Sequence, residues 1–282
     1  MGAARITELR YYPIKGCAGT SVREGMLSLA GLAHDRTFLV VSPDGLSRTQ
    51  RRHPLLATIR PEVDAGGELL TLRAPGLEPL GVPVDVTAPR RPVELFGAHY
   101  TGIDQGPAAA EWLSEVLGEP SRLVRVPPEH HRVTDGETPG TSAYADSSAL
   151  LVTSWASWEA LNDRIVGRGD EPVAMARFRP NIVVDGWPEP HVEDRVRGAE
   201  VGGAELGFTK LAIRCAVAMV DQDTGERAGP EPIRTLAGYR RVASGGVTFG
   251  AKFSVVRPGR VAVGDELRVH RWADAPARTP TG

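Results

Sequence analysis

Leu211-Ala212-Ile213-Arg214-Cys215-Ala216-Val217-Ala218-Met219-Val220 is an apolar run broken by one arginine and one cysteine. Its composition predicts a buried strand. Cys215 is one of only two cysteines in the 282-residue chain. A thiol in a buried strand is ordinarily inert packing. A guanidinium next to it, here Arg214, favours the thiolate, the form that binds soft metals and attacks electrophiles. Cys215 is therefore a candidate metal ligand.

Outward from this run, the second half of the chain reads as short strands around one helix. Ala149 to Val152 predicts a strand that runs into Thr153-Ser154. Over Trp155 to Ile165, the residues Trp158, Leu161 and Ile165 share a helical face, and Thr153, Ser154 and Ser157 are good N-cap types. Further strands are predicted at Asn181 to Val184, Ala199 to Leu206 and Arg260 to His270, with hairpin turns at Asp223-Thr224-Gly225 and Gly264-Asp265.

The first half is a series of short apolar segments punctuated by turn formers. They are Ile6 to Ile14, Thr37 to Ser42 closed by Pro43-Asp44-Gly45, and Leu69 to Leu72 preceded by Gly66-Gly67. Close spacing of short strands points to a β-barrel or sandwich. From Ala108 the period changes: Ala109, Trp112, Leu113, Val116 and Leu117 fall at helical spacing, and Gly118 stands where the helix should stop. Residues 127–148 lack apolar periodicity and read as a long surface loop. The expected organisation is an α+β, predominantly β chain. An N-terminal β-barrel-like domain over 1–120 precedes a second barrel with flanking helices over 121–272, and a polar, proline-rich tail over 273–282 predicts disorder.

Composition narrows the function. A net charge of −2, with 41% hydrophobic and 24% charged residues, gives no reason to expect nucleic acid or an anionic membrane as partner. No stretch of eighteen apolar residues occurs and the start has no apolar targeting segment, so a cytoplasmic location is expected. Two distant cysteines make neither a disulfide framework nor an iron–sulfur site. The chain also lacks a Gly-x-Ser-x-Gly elbow, a Walker A loop and a dinucleotide fingerprint.

Several groups suit an anion, and each also has a plainer reading. Lys15 ends Tyr12-Pro13-Ile14-Lys15-Gly16, where a point charge can meet a phosphate or simply face solvent. Arg36, in Gly31-Leu32-Ala33-His34-Asp35-Arg36, can sit in a cleft or pair with Asp35. Arg177, Arg179 and Asn181 offer two guanidiniums and an amide beside a strand, suited to an oxyanion or to a solvated surface. Thr153 and Ser154 offer hydroxyls and free backbone N–H groups at a helix start, where capping alone would also explain them. Asp221 to Gly225 lacks the distal glutamate of a calcium loop, and His130-His131 has no third ligand at zinc spacing.

The order of these motifs carries more than any one of them. Tyr12-Pro-Ile-Lys-Gly16, His34-Asp-Arg36, Tyr144-Ala-Asp-Ser-Ser148, Phe178-Arg-Pro-Asn-Ile-Val183, Arg214-Cys215 with Asp221-x-Asp-Thr-Gly225, and Gly250-Ala-Lys-Phe253 follow one another along the chain. Over residues 5 to 270 this series resembles the MOSC-domain family with its N-terminal β-barrel partner domain. That group includes the amidoxime-reducing components, and the same domain forms the C-terminal part of molybdenum cofactor sulfurases. The resemblance implies the molybdenum cofactor, molybdopterin-bound molybdenum, with Cys215 as metal ligand and catalytic residue. It implies that Lys15, Arg36, Thr153, Ser154, Arg179, Asn181, Arg214 and Lys252 hold the pterin and its phosphate. The implied activity is oxygen removal from N-hydroxylated substrates of the amidoxime and hydroxylamine type. Electrons would come from a separate ferredoxin, flavoprotein or cytochrome b5 type partner. As a property of the family alone, the resemblance also implies pyridoxal phosphate binding.

The chain departs from that family's pattern in places. Gly16 replaces a serine common after the lysine, Lys252 stands where relatives often have a tyrosine, and Ala212-Ile213 lack a Cys-Ser pair that some members carry. No ferredoxin domain is expected after residue 270. The alternative function is a sulfur-carrying or molybdenum cofactor-handling protein without reductive turnover, in which Cys215 holds a persulfide. A binding domain that has lost its cofactor is disfavoured by the retained Cys215.

Overall fold

Short alternating segments bounded by Gly, Pro and Asp become short strands, because each can bury only one face before the chain must turn. The computed structural model describes residues 3–243 and 245–273. In the first half, the elements are β1 (Ala4–Tyr11), β2 (Thr20–Val22), β3 (Glu24–Ser28), β4 (Gly31–Leu32), β5 (Phe38–Val41), β6 (Arg60–Val63), β7 (Leu69–Arg73), β8 (Leu80–Pro83), β9 (Arg90–Leu95), β10 (Ala98–Asp104) and α1 (Pro107–Leu117). There follow β11 (Arg122–Arg125), β12 (Val133–Thr134), β13 (Gly140–Thr141), β14 (Leu150–Ser154), α2 (Trp155–Val166), β15 (Ile182–Asp185), β16 (Val196–Val201) and β17 (Ala204–Arg214). The last elements are α3 (Ile233–Ala237), β18 (Val247–Arg257), β19 (Gly259–Ala262) and β20 (Glu266–Trp272). The chain is predominantly β, as its segment pattern predicts.

Seven strands close a barrel in the order β15-β14-β18-β17-β16-β20-β1, and β1 pairs back onto β15. Closure leaves no bare edge. β14 and β15 are parallel, so the chain between them must cross over, and α2 lies in that crossover. Smaller sheets, β5-β11-β10-β9, β6-β7-β8 and β19-β3-β4, surround the barrel mostly from the first half. A single buried apolar cluster runs through both halves, joining Ile14, Val40, Leu72 and Trp112 to Val152, Phe208 and Leu267. The helix expected after Ala108 is α1, closed by Gly118 in the left-handed region, and it contributes Ala109, Trp112 and Leu113 to that cluster. Among the described residues no helix is long and apolar enough to cross a membrane.

Four local expectations are corrected. The strand predicted over 211–220 ends at Arg214, where its register with β18 ends opposite Val247. Without a partner the chain then winds into a 3-10 turn over Ala216–Met219, and Cys215 is exposed rather than buried. The strand expected over 199–206 is cut by Gly202-Gly203. Gly202 has φ 56°, and a side chain there would meet the Arg260 carbonyl at 2.4 Å. The turn at Gly264-Asp265 joins no hairpin: β19 pairs with β3, whereas β20 pairs with β16 and β1. Residues 127–148 are not a surface loop throughout. Tyr144 is fully buried and donates to the Thr101 carbonyl at 3.0 Å, and Arg132 ties down the carbonyls of Ala143, Ala145 and Asp146. Apart from Ala273, the expected tail lies outside the described residues.

Candidate functional site

A cleft between the barrel and the first-half sheets gathers Lys15, Arg36, Arg179, Asn181, Arg214, Cys215 and Lys252. Lys15 follows β1, Arg214 ends β17, and Lys252 lies within β18. Arg36 and Arg179 sit in the left-handed region, at φ 50° and 58°. That conformation costs an ordinary residue roughly 1–2 kcal/mol, so surrounding contacts must hold both in place. Tyr12 supplies much of that hold. Its buried ring lies 4.3 Å from each guanidinium carbon, its hydroxyl donates to the Pro180 carbonyl at 3.0 Å, and its N–H donates to Asp35 at 2.8 Å. Arg36 also donates to Asp35 at 2.6 Å and to the Asn181 amide oxygen at 2.9 Å. Asn181 is fully engaged within the protein, donating to Asp35 and to the Arg10 carbonyl. Its place is behind Arg36, fixing it.

The cleft is strongly cationic. Among the described residues, Lys15, Arg36, Arg48, Arg51, Arg179, Arg214 and Lys252 all line it, against the single carboxylate of Asp146. Burial draws the Arg179 guanidinium down to about 10, so it stays charged at neutral pH. Its Nη1 donates to Gln222 at 3.2 Å, while Nη2 is buried with no partner among the described residues. Arg214 repeats the pattern: Nη2 donates to the Phe178 carbonyl at 2.7 Å and the buried Nε has no partner. Unpaired buried charged donors are costly, and an anion reaching them would remove that cost. Lys252 donates to Ser147 at 2.7 Å. Burial, assisted by Arg214, Lys210 and Lys15 and opposed by Asp146, brings its ammonium down to about 8. Burial also lowers Lys15, which pairs with Asp146. The Asp146 carboxyl is itself exposed, and Lys15 and Lys252 together hold it below the usual carboxylate range.

Thr153 and Ser154 are not brought to this cleft. Thr153 is fully buried in β14 and its hydroxyl faces the Met175 sulfur at 3.5 Å. Ser154 caps α2, accepting from the Ser157 N–H at 3.2 Å. The anion at this helix start is the chain's own: the buried Glu193 carboxylate accepts from Ser154 at 2.9 Å and from Ser157 at 2.7 Å. The phosphate reading of this pair gives way to capping. The hydroxyls that do line the cleft include Ser147 and Ser148.

Other lining residues carried no usable pattern in the sequence. Arg48, Arg51 and Phe96 come from turns of the first half, and the neighbouring Gln222 reaches Arg179 from the Asp221–Gly225 turn. Asp146 lies within the Tyr144-Ala-Asp-Ser-Ser148 motif, and its acidic side chain was the available signal. Cys17 is fully buried outside the lining, its thiol pushed up to about 12 by burial. Among the described residues no three His, Cys, Asp or Glu side chains converge to hold a metal. A metal beside Cys215 would need most of its ligands from a bound molecule.

Comparisons with known proteins place both halves of the chain in one family. The MOSC N-terminal beta barrel domain matches residues 3–120, and the MOSC domain matches residues 139–268. The human mitochondrial amidoxime-reducing component 1 is 32% identical, over 93% of this chain and 82% of its own length. The chain belongs to the MOSC-domain family. The mouse amidoxime-reducing component 1 is 34% identical, over 93% of this chain and 81% of its own. The zebrafish molybdenum cofactor sulfurase is 32% identical over 87% of this chain, which corresponds to 31% of that longer protein. Within the MOSC family, then, this chain is similar to named reductase components along most of their length and to one section of a sulfurase.

Proposed function

We propose that this chain is a molybdenum cofactor-dependent reductase that removes oxygen from N-hydroxylated substrates with electrons from a separate donor protein. The observation that carries the reading is Cys215, exposed in the cleft that also holds the unpartnered buried donors of Arg179 and Arg214. These residues fit the group. One thiolate suits a metal already chelated by an organic ligand, and the guanidiniums with Lys15 and Lys252 suit that ligand's phosphate. When bound, the cofactor supplies the two-electron change by which an amidoxime, two electrons and two protons become an amidine and water. Arg179 and Arg214 bind the anionic end, Lys15 adds a charge, and Arg36 is held rigid by Asp35, Asn181 and Tyr12. Cys215, exposed in the cleft, would hold the metal. A cleft this cationic also attracts an anionic donor surface.

The test is protein purified from a host that makes the cofactor. Molybdenum should co-purify stoichiometrically, and loaded protein with an artificial reductant should convert benzamidoxime to benzamidine. Cys215→Ser should lose both. Equal molybdenum content and turnover in Cys215→Ser would sink the reading. A carrier role draws on the same exposure of Cys215 and on the likeness to a sulfurase section. Cyanide-released sulfur from Cys215, with no turnover by fully loaded protein, would put that role in its place.

A further inference from the structure

Phe96 occupies a position that its backbone argues against. It is the first residue of the two-residue loop Phe96-Gly97 between β9 and β10, whose flanking residues Leu95 and Ala98 pair directly. Both loop residues have positive φ, 54° for Phe96 and 79° for Gly97. Such mirror-image turns favour Asn, Asp or Gly, and an aromatic residue there is held at a cost. The ring gains no burial in exchange: Phe96 is 50% exposed while most large apolar side chains of the first half are covered. The hairpin is fixed at its base, since the Glu94 N–H donates to the Gly45 carbonyl at 2.9 Å and the Ser47 N–H to the Glu94 carbonyl at 3.0 Å.

What the ring does instead is line the cleft that holds Cys215. Lys15 and Arg51 lie 5.0 and 5.3 Å from its centroid, so two cations hold it by its electron-rich face. From the barrel, Ile213 and Cys215 reach the same cleft, two residues apart on extended backbone and both exposed. We infer that Phe96 and Ile213, both lining the cleft that holds Cys215, give it the apolar surface that selects substrates with a flat, uncharged organic body. The flanking cations repel a protonated substrate body, while the ring and Ile213 reward a neutral aromatic one. This inference rests on the reductase reading for turnover, but not for binding.

The test compares loaded wild type with Phe96→Ala and Phe96→Asn. Affinity for benzamide against acetamide, neither of them reducible, is measured by calorimetry, and KM for benzamidoxime against acetamidoxime by amidine formation. Both aromatic-to-aliphatic preferences should fall about 3- to 10-fold in the variants, with molybdenum per chain unchanged. Phe96→Asn suits the turn and should melt at the wild-type temperature or above. Unchanged preferences would overturn this selection. Loss of molybdenum would assign the ring to the cofactor, and a lower melting temperature in Phe96→Asn would make it a packing residue; either result also overturns the inference. If loaded wild type reduces neither substrate yet still prefers benzamide through Phe96, the reductase reading fails and the selection stands.

Discussion

Arg179 makes one side-chain hydrogen bond, to Gln222, from a buried guanidinium whose other terminal nitrogen is unpaired. On the proposed reading, such a group burdens the cofactor-free fold and would stabilise the loaded one. Arg179→Met should therefore weaken cofactor retention by about 1.5–3 kcal/mol, roughly tenfold to a hundredfold, while the cofactor-free variant melts no lower than wild type. Molybdenum analysis and thermal melts check both halves. Lys252 gives a pH signature. Its folded value of about 8 lies below the ordinary 10.5, so it sheds its proton as pH passes 8 and the cleft loses a cation. Binding of inorganic pyrophosphate to cofactor-free protein should weaken between pH 7 and 9. Stability runs the other way, because between about 8 and 10.5 the unfolded chain binds a proton that the folded chain does not. Lys252→Met should flatten both curves, and a pyrophosphate affinity equally steep in wild type and variant would refute the assignment. Cys17→Ser should keep the metal, yet it buries a hydroxyl in an apolar cluster and should cost about 1–3 kcal/mol in denaturant melts.

At the scale of elements, α2 begins where two serines meet a buried carboxyl. Burial raises the Glu193 carboxyl above its ordinary value, partly countered by the hydroxyls of Ser157 and Ser154. Between the ordinary and the raised value the folded chain holds a proton that the unfolded chain has lost, so this group's contribution to stability falls as pH rises through that window. Glu193→Gln should therefore gain stability relative to wild type as pH rises above the ordinary 4.5, as read from paired melts at pH 4 and pH 7. Ser154→Ala removes the cap and should cost about 0.5–2 kcal/mol at either pH without altering molybdenum content. Equal stability of Ser154→Ala with lost molybdenum would return this serine to the cofactor site. The sequence showed the helix and offered Thr153, Ser154 and Ser157 as cap types, since both signals are local. It could not show Glu193, because a carboxyl 39 residues away enters only through the packing of the Val192–Arg195 turn on β14.

For the whole molecule, the barrel closes only through β1. Ala4 to Tyr11 lies between β15 and β20, so strands from the far end of the chain depend on the first dozen residues. A fragment of residues 121–282 would expose the facing edges of β15 and β20 and part of the shared apolar cluster. It should be insoluble alone and recover a cooperative melt when residues 1–120 are supplied on a second chain. A fragment that melts cooperatively alone would show that β1 is dispensable. The cleft is split in the same way, with Lys15, Arg36 and Phe96 on one side of residue 120 and Arg179, Arg214, Cys215 and Lys252 on the other.

By itself the sequence determined the local periods: short strands between turn formers, and helices beginning near Ala108 and Trp155. These follow from neighbouring residues and hold wherever the chain folds. Only the tertiary structure decided that the strand at Leu211 stops one residue before Cys215 and that Thr153 and Ser154 turn away from the cleft. It alone decided that Asp146 and Phe96 enter the cleft. Each of these depends on where a partner strand ends or a distant side chain arrives, and such long-range pairing has no periodic trace along the chain.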